Sequence, residues 1–97
     1  MSARILSTDV LAGDAAPLAE LGGPGGGAEV GTWEMAPGTD HDTEVDEVFV
    51  VLTGRGTVTF EDGEVVELAP GVAVRLRAGE RTTWVVTETL RKVYVAL

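Results

Sequence analysis

From residue 28 onward, turn-forming residues cut the chain into short segments, and this punctuation limits what it can fold into. Pro-Gly pairs occur at 37–38 and 70–71, and glycine-containing turn sequences at 53–56, 61–64 and 78–80. The runs between them are rich in β-branched residues and show no helical period, which is typical of strands. The predicted strands are 28–36, 45–52, 57–60, 64–68, 72–77, 82–88 and 91–97. Short strands at this spacing predict an all-β sandwich or barrel.

A glycine-rich stretch separates this region from the N-terminus. Residues 21–30 contain five glycines and a proline, which disfavour both a helix and a central strand. Before them, residues 3–8 predict a short strand and residues 11–21 a single turn or a loose helix. We therefore divide the chain into an N-terminal arm with a short strand and Gly-rich loop, 1–27, and a barrel, 28–97.

The clearest hairpin is predicted at Asp62 and Gly63. This pair lies between two β-branched runs, and Asp-Gly favours a two-residue turn because both residues tolerate positive φ.

Composition excludes several classes of function. The net charge of −9 would repel nucleic acid, and it also argues against docking on an anionic membrane. No apolar run approaches the roughly 20 residues needed to span a bilayer, and the N-terminus lacks the continuous apolar core of a signal peptide. We expect a cytoplasmic protein. With no cysteine in the chain, disulfides, thiolate zinc sites and cysteine nucleophiles are excluded.

Two spaced motifs resemble those of the cupin superfamily. Glu47 is followed by six residues and then Gly54, and the sequence AGERTTW at 78–84 follows APG at 69–71. Together with GTWE at 31–34 and RKVYV at 91–95, these motifs resemble the small single-domain cupins related to the ureidoglycine aminohydrolase and ethanolamine-utilisation groups. The resemblance implies a jelly-roll (double-stranded β-helix) barrel with a ligand or metal site inside its mouth.

The resemblance also implies which residues would hold a metal. Metal-binding cupins supply two histidines and a glutamate from the first motif and one histidine from the second. The glutamate position is held by Glu47 and the first histidine position by His41, whereas the other two positions hold Thr43 and Thr82. We therefore expect a degenerate metal site and no cofactor, with a weakly bound divalent ion (Mn²⁺, Ni²⁺, Zn²⁺ or Fe²⁺) as the alternative.

The stretch DHDTEVDE at 40–47 contains five acidic residues and the only histidine. A solvated loop is favoured for it over a ligand-binding rim and over a tight metal site. Glu47 is the exception, because the two-residue period of a strand turns Phe49 and Val51 to the same side and Asp46 to the other. We predict that Glu47 lies in a partly apolar cavity with a nearby cation, for which Arg75, Arg77 and Lys92 are candidates; the alternative is an ion pair that only stabilises the barrel.

The remaining predicted site residues are aromatic or lie beside aromatic residues. Trp33 and Trp84 are either core residues or pocket walls that stack on a flat ligand. Lys92 and Tyr94 share one face of the last strand, and the resemblance places them near the pocket. The predicted ligand-binding residues are Trp33, Phe49, Arg75, Arg77, Thr82, Trp84, Lys92 and Tyr94, with Glu47 and His41 as candidate catalytic groups and candidate metal ligands.

Three functions remain open. The favoured one is binding of a small polar or anionic metabolite without a firmly held metal, because one histidine and no cysteine leave few catalytic groups. The second is an isomerase, lyase or hydrolase that uses Glu47 or His41 with a weakly bound divalent metal. The third is a structural dimerisation module with a filled interior. A homodimer is also predicted, through the edges of the segments 3–8 and 91–97.

Overall fold

The computed structural model describes residues 4–9 and 29–97, and these form an antiparallel β-structure. The strands are β1 (Ile5–Ser7), β2 (Glu29–Met35), β3 (Gly38–Thr43), β4 (Glu47–Phe60), β5 (Val65–Leu68), β6 (Ala73–Leu76) and β7 (Arg81–Ala96). No helix long and apolar enough to cross a membrane occurs in these two ranges. The turn or helix predicted at 11–21 and most of the glycine-rich stretch at 21–30 lie outside the described residues.

Two long strands, β4 and β7, organise the fold. They pair with each other from Glu47 opposite Ala96 to Phe60 opposite Thr82. On its other edge β4 pairs with β6 and then β5, while β7 pairs with β3 and then β2. The sheet therefore folds into two layers that share the long strands, ordered β1-β6-β4-β7-β2 and β5-β4-β7-β3. This arrangement confirms the predicted jelly-roll barrel.

The two layers face each other across an apolar core. Phe49 in the first layer and Trp84 in the second have ring centroids 5.6 Å apart. Side chains that alternate along β4 and β7 fill this space, as the two-residue period predicts. Phe49, Val51, Trp84 and Val86 are all at most 3% exposed, and for Phe49 and Val51 this confirms the predicted inward orientation.

Four predicted strands are really two, and in β4 a glycine forms a bulge where a turn was predicted. Segments 45–52 and 57–60 belong to β4, and segments 82–88 and 91–97 to β7. The register shifts between Val51 and Gly56, around Gly54, whose φ is 100°. A side chain at Gly54 would strike the backbone of Thr89 and Leu90. Glycine therefore lets the two strands bend together from one layer into the other.

Residues 38–43 form a strand, although 40–43 belong to the run 40–47 that was predicted to be a solvated loop. All six residues of β3 are exposed, so their sequence has no buried side to mark them as a strand. They pair with β7, with Asp42 opposite Thr82 and His41 opposite Thr83. The strand is therefore stabilised by hydrogen bonds to β7 rather than by apolar alternation.

The predicted hairpin at Asp62 and Gly63 forms with a longer loop. Phe60 and Glu64 close it through a backbone hydrogen bond of 2.9 Å, and the Gly63 amide donates to the Phe60 carbonyl. The loop therefore has three residues rather than two. Of these, Gly63 alone has positive φ, at 90°, so Asp62 does not adopt the left-handed conformation that a two-residue turn would require.

The described part of the N-terminal arm is attached to the barrel. Strand β1 pairs with β6, and the Arg4 guanidinium lies 4.1 Å from the ring centroid of Phe60. Arg4 also forms ion pairs with Asp62, Glu64 and Glu80. Strand β1 is at a sheet edge, as predicted, but the segment 91–96 of β7 lies between β2 and β4. The last strand therefore offers no free edge to a partner.

Candidate functional site

A cavity of about 270 Å³ lies at one end of the barrel, where β2, the start of β4 and the end of β7 meet. Its charged lining consists, among the described residues, of four carboxylates and one ammonium. Its aromatic lining contains both tryptophans and the only tyrosine of the chain. The groups concerned are Glu29, Asp42, Glu44, Glu47, Lys92, Trp33, Trp84 and Tyr94.

Lys92, the only lysine in the sequence, lies at the centre of this site. Its Nζ is 3.0 Å from Oε2 of Glu47, and their side chains are 7% and 11% exposed. The same nitrogen lies 4.4 Å from the ring centroid of Phe49, 4.7 Å from that of Trp84 and 4.8 Å from that of Trp33. The negative faces of three rings and a carboxylate therefore stabilise one buried cation.

The strand register explains this convergence. Lys92 lies opposite Trp33 on β2 and opposite Val51 on β4. Tyr94, two residues further along β7, lies opposite Gly31. A Cβ at position 31 would lie 2.6 Å from Oη of Tyr94, so glycine is required for the ring to cross β2 at this point.

Glu44 is a buried site residue that the sequence reasoning missed. It is 6% exposed, and its Oε2 accepts hydrogen bonds from Oγ1 of Thr82 at 2.6 Å and from Nε1 of Trp84 at 3.1 Å. Backbone bonds to Glu80 and Gly79 fix its position just after β3. Burial raises the pKa of the Glu44 carboxyl above its usual 4.5, while the bonds from Thr82 and Trp84 partly lower it.

A sequence signal for Glu44 did exist. Asp40, Asp42 and Glu44 alternate, and pairing places Asp42 opposite the buried Thr82. Once this pairing is known, the two-residue period assigns Asp42 and Glu44 to the cavity side, so the alternation is informative only together with the register.

His41 lies away from Glu47. It shares the outer face of the sheet with Thr83, whose Oγ1 is 3.1 Å from the His41 Nδ1. It lines a separate, open surface groove of about 530 Å³ together with Arg81 and Thr59. The two candidate catalytic residues therefore do not form one site.

The two arginines are also placed elsewhere. Arg75 shares a face of the sheet with Val48, opposite to the face of Glu47 and Phe49, and its Nη2 is 3.5 Å from Asp46. Arg77 follows β6, and its backbone amide donates to Glu80 Oε1 at 2.6 Å. Of the three candidate cations for Glu47, the structure brings Lys92 to it.

These residues do not fit the four-ligand metal site that the resemblance implies. Glu47 is paired with an ammonium, His41 faces outward, and the Thr82 hydroxyl donates to Glu44. Within residues 4–9 and 29–97, no three His, Asp or Glu side chains are grouped so that they could hold a metal ion. A divalent ion beside Glu47 would also have to displace or deprotonate Lys92, because like charges at that distance repel strongly.

Comparison with known proteins agrees with this architecture. A DUF861 family protein from Thermotoga maritima is 29% identical, with a TM-score of 0.65, over 69% of this chain and 77% of that chain. The EutQ protein of Clostridium difficile is 24% identical, with a TM-score of 0.64, over 71% of this chain and 55% of that chain. At this identity the likeness supports the fold alone. Vicilin GC72-A of Gossypium hirsutum is 45% identical over 42 residues, which are 40% of this chain and 7% of that protein.

The match thus spans only a small part of the vicilin and about half of the EutQ protein. The family model described as the EutQ-like cupin domain matches residues 22–94, which include β2 to β6 and nearly all of β7. The chain therefore belongs to the family of EutQ-like cupin domains.

Proposed function

We propose that this protein binds a small polar molecule in the cavity around Lys92, without a metal ion. The observation that carries the proposal is the convergence of Glu44, Glu47, Lys92 and Tyr94 on one cavity of about 270 Å³ with tryptophan walls. A concave, partly apolar site with a few fixed polar groups is the usual form of a small-molecule site. A purely structural module would instead need side chains to fill this space.

The charges favour a neutral or cationic ligand over the anionic one considered from the sequence. The predicted pocket lining included Arg75 and Arg77, and both arginines lie outside the cavity lining described above. Four carboxylates line the cavity, and the charge of Lys92 is already balanced by Glu47. An anion would therefore meet uncompensated negative charge, whereas hydroxyl and ammonium groups would find acceptors.

Tryptophan fluorescence tests the proposal directly, because both tryptophans of the chain line the cavity. Small polyols, primary amines and carboxylic acids of matched size would be titrated into the protein. We expect saturable changes with polyols or amines and none with the acids. The proposal fails if no compound of these classes changes the emission, or if the acids bind most tightly.

Two matched variants localise the signal. Glu44→Gln removes a carboxylate that lines the cavity, whereas Glu34→Gln removes one that pairs with Arg91 on an exposed surface. We expect weaker binding in the first variant and unchanged binding in the second.

Independence from metal is tested by repeating the titration on chelator-treated protein and after addition of Mn²⁺, Ni²⁺, Zn²⁺ or Fe²⁺. We expect the same affinity under all conditions. Metal-dependent binding that is lost in Glu47→Gln would favour the second candidate function, a metal-assisted enzyme.

The homodimer also stays a prediction. Within the described residues β1 and β2 are the outer strands of one layer, and Val30 on β2 is 67% exposed. Sedimentation that shows only monomer at micromolar concentration would exclude it.

A further inference from the structure

The position of the only lysine in the sequence allows a chemical role in addition to ligand binding. A chain with seven basic residues has six arginines and a single lysine, and that lysine is 5% exposed within the cavity. Arginine holds a carboxylate better through its planar fork, and it would serve if a fixed positive charge were all that the site required. What lysine offers and arginine lacks is a primary amine that becomes nucleophilic when it loses a proton.

The neighbours of Lys92 match the needs of an amine that reacts with a carbonyl group. Its ammonium needs a base, and Oε2 of Glu47 lies 3.0 Å from Nζ. Loss of water from the first adduct needs an acid, and Glu44 lines the same cavity as Lys92. The walls of Trp33, Trp84 and Phe49 restrict water around the nitrogen.

We propose that Lys92 condenses with the aldehyde or ketone group of a small neutral or cationic molecule to form an imine. The proposal rests on the proposed function, because the carbonyl compound must first occupy the same cavity. It specifies that the ligand carries an aldehyde or ketone group, and it assigns to Lys92 the role of nucleophile.

The Lys92 ammonium gives a proton to Glu47, and the freed nitrogen lone pair forms a bond to the carbonyl carbon while the proton on nitrogen moves to the oxygen. The resulting carbinolamine loses its hydroxyl as water after protonation by the Glu44 carboxyl, and the carbon–nitrogen double bond forms. The two carboxyls then re-equilibrate their proton through solvent. In sum, ammonium and carbonyl give protonated imine and water, with no oxidant or reductant.

The site suits the product as well as the starting amine. The protonated imine is a cation at nearly the same position as the ammonium, so Glu47 and the ring faces of Phe49, Trp33 and Trp84 stabilise it in the same way. Burial raises the pKa of the Glu44 carboxyl, which keeps a larger share of it in the acid form that the dehydration step uses.

The experiment uses the whole protein, glycolaldehyde as a neutral hydroxyaldehyde, and cyanoborohydride to trap the imine as a stable secondary amine. Only two amines can be labelled, the N-terminal amine and Lys92. Peptide mapping by mass spectrometry distinguishes them. We expect Lys92 to label about tenfold faster in the folded protein than in urea, because the site holds the carbonyl carbon against the nitrogen. Labelling of the N-terminal amine serves as the internal reference.

Two variants extend the test. Lys92→Arg keeps the cation and removes the amine, so only the N-terminal amine should label. Glu47→Gln removes the base but keeps the shape of the side chain, and we expect slower labelling of Lys92. If Lys92→Arg does not fold, the labelling rates of Lys92 in folded and unfolded wild-type protein still test the proposal.

The proposal is overturned if the labelling rate of Lys92, relative to that of the N-terminal amine, is no higher in the folded protein than in urea. Fluorescence recorded on the same samples separates this from failure of the proposed function. A saturable change with glycolaldehyde but no labelling of Lys92 would overturn the imine and leave binding intact. Absence of both signals, together with no response to polyols or amines, would overturn both.

Discussion

Replacement of Lys92 by methionine removes the buried ammonium while keeping a side chain of similar length. Glu47, which is 8% exposed, would lose the cation 3.0 Å away and keep its own charge in a largely apolar site. Breaking a buried ion pair by removing one partner costs about 3–5 kcal/mol. The three ring contacts contribute about 0.5–2 kcal/mol each, but their contributions are not additive because they share one nitrogen. We expect the free energy of unfolding to fall by about 3–5 kcal/mol.

Urea denaturation followed by tryptophan emission measures this change. Because m is about 1–1.5 kcal/mol/M for a small domain, the urea midpoint should fall by about 2–5 M. The matched control is Arg91→Met, since Arg91 is the preceding residue of β7 and pairs with Glu34 at 3.4 Å on an exposed face. Exposed ion pairs contribute little, so the control should change stability by less than about 1 kcal/mol.

The double variant Lys92→Met with Glu47→Gln completes the test. It leaves no buried charge of this pair, so it should be more stable than Lys92→Met alone. The reasoning is refuted if the free energies of unfolding of Lys92→Met and Arg91→Met differ by less than about 0.5 kcal/mol. The buried Lys92–Glu47 pair would then contribute no more to stability than a solvent-exposed pair.

Three further predictions concern glycines and Glu44. Gly31→Ala places a Cβ 2.6 Å from Oη of Tyr94, so we expect thermal denaturation to show a free energy of unfolding lower by about 1–3 kcal/mol. This decrease should largely disappear when Tyr94 is also replaced by alanine. Gly54→Ala combines a φ of 100° with a backbone clash, whereas Gly63→Ala combines a φ of 90° with open space. The first substitution should therefore lower the melting temperature clearly more than the second. Equal decreases in melting temperature would contradict the role of the bulge. Because the folded-state pKa of Glu44 is raised, its contribution to stability is present below pH 4.5 and is lost as pH rises to the folded pKa. Glu44→Gln should therefore gain stability relative to wild type as pH increases from 4.5, and parallel urea midpoints across that range would argue against the shift.

The parts of the fold that local pattern controls were predictable. Phe49 and Val51 face inward with Glu47, and Lys92 and Tyr94 share the cavity face, because each group follows the two-residue period of one strand. A glycine in the sequence, in contrast, does not distinguish a turn from a bulge. At Gly54 the difference is made by contact with Thr89 and Leu90 of another strand, which sequence patterns do not contain.

The site was only partly predictable for a related reason. Whether His41 faces Glu47 depends on the register of β3 against β7, and a shift by one residue would reverse it. Glu44 belongs to an acidic run that looks solvated, yet it is buried because Thr82 and Trp84 donate to it from β7 and Gly79 donates to its carbonyl. Both outcomes depend on residues 38 to 42 positions away, and Glu47 pairs with Lys92 across 45 positions.

The sharing of β7 by both layers also determines when this protein can fold during translation. Strands β2 and β3 pair with β7, and β4 has its longest pairing there, so these strands wait for residues 81–96. At about 5–20 residues per second, a ribosome needs about one to three seconds to make that strand. Until then β4, which includes the valine-rich segment Val48 to Val51, has β5 and β6 as partners on one edge and leaves its other edge unpaired. Folding of the barrel is therefore a late event that follows emergence of its last long strand.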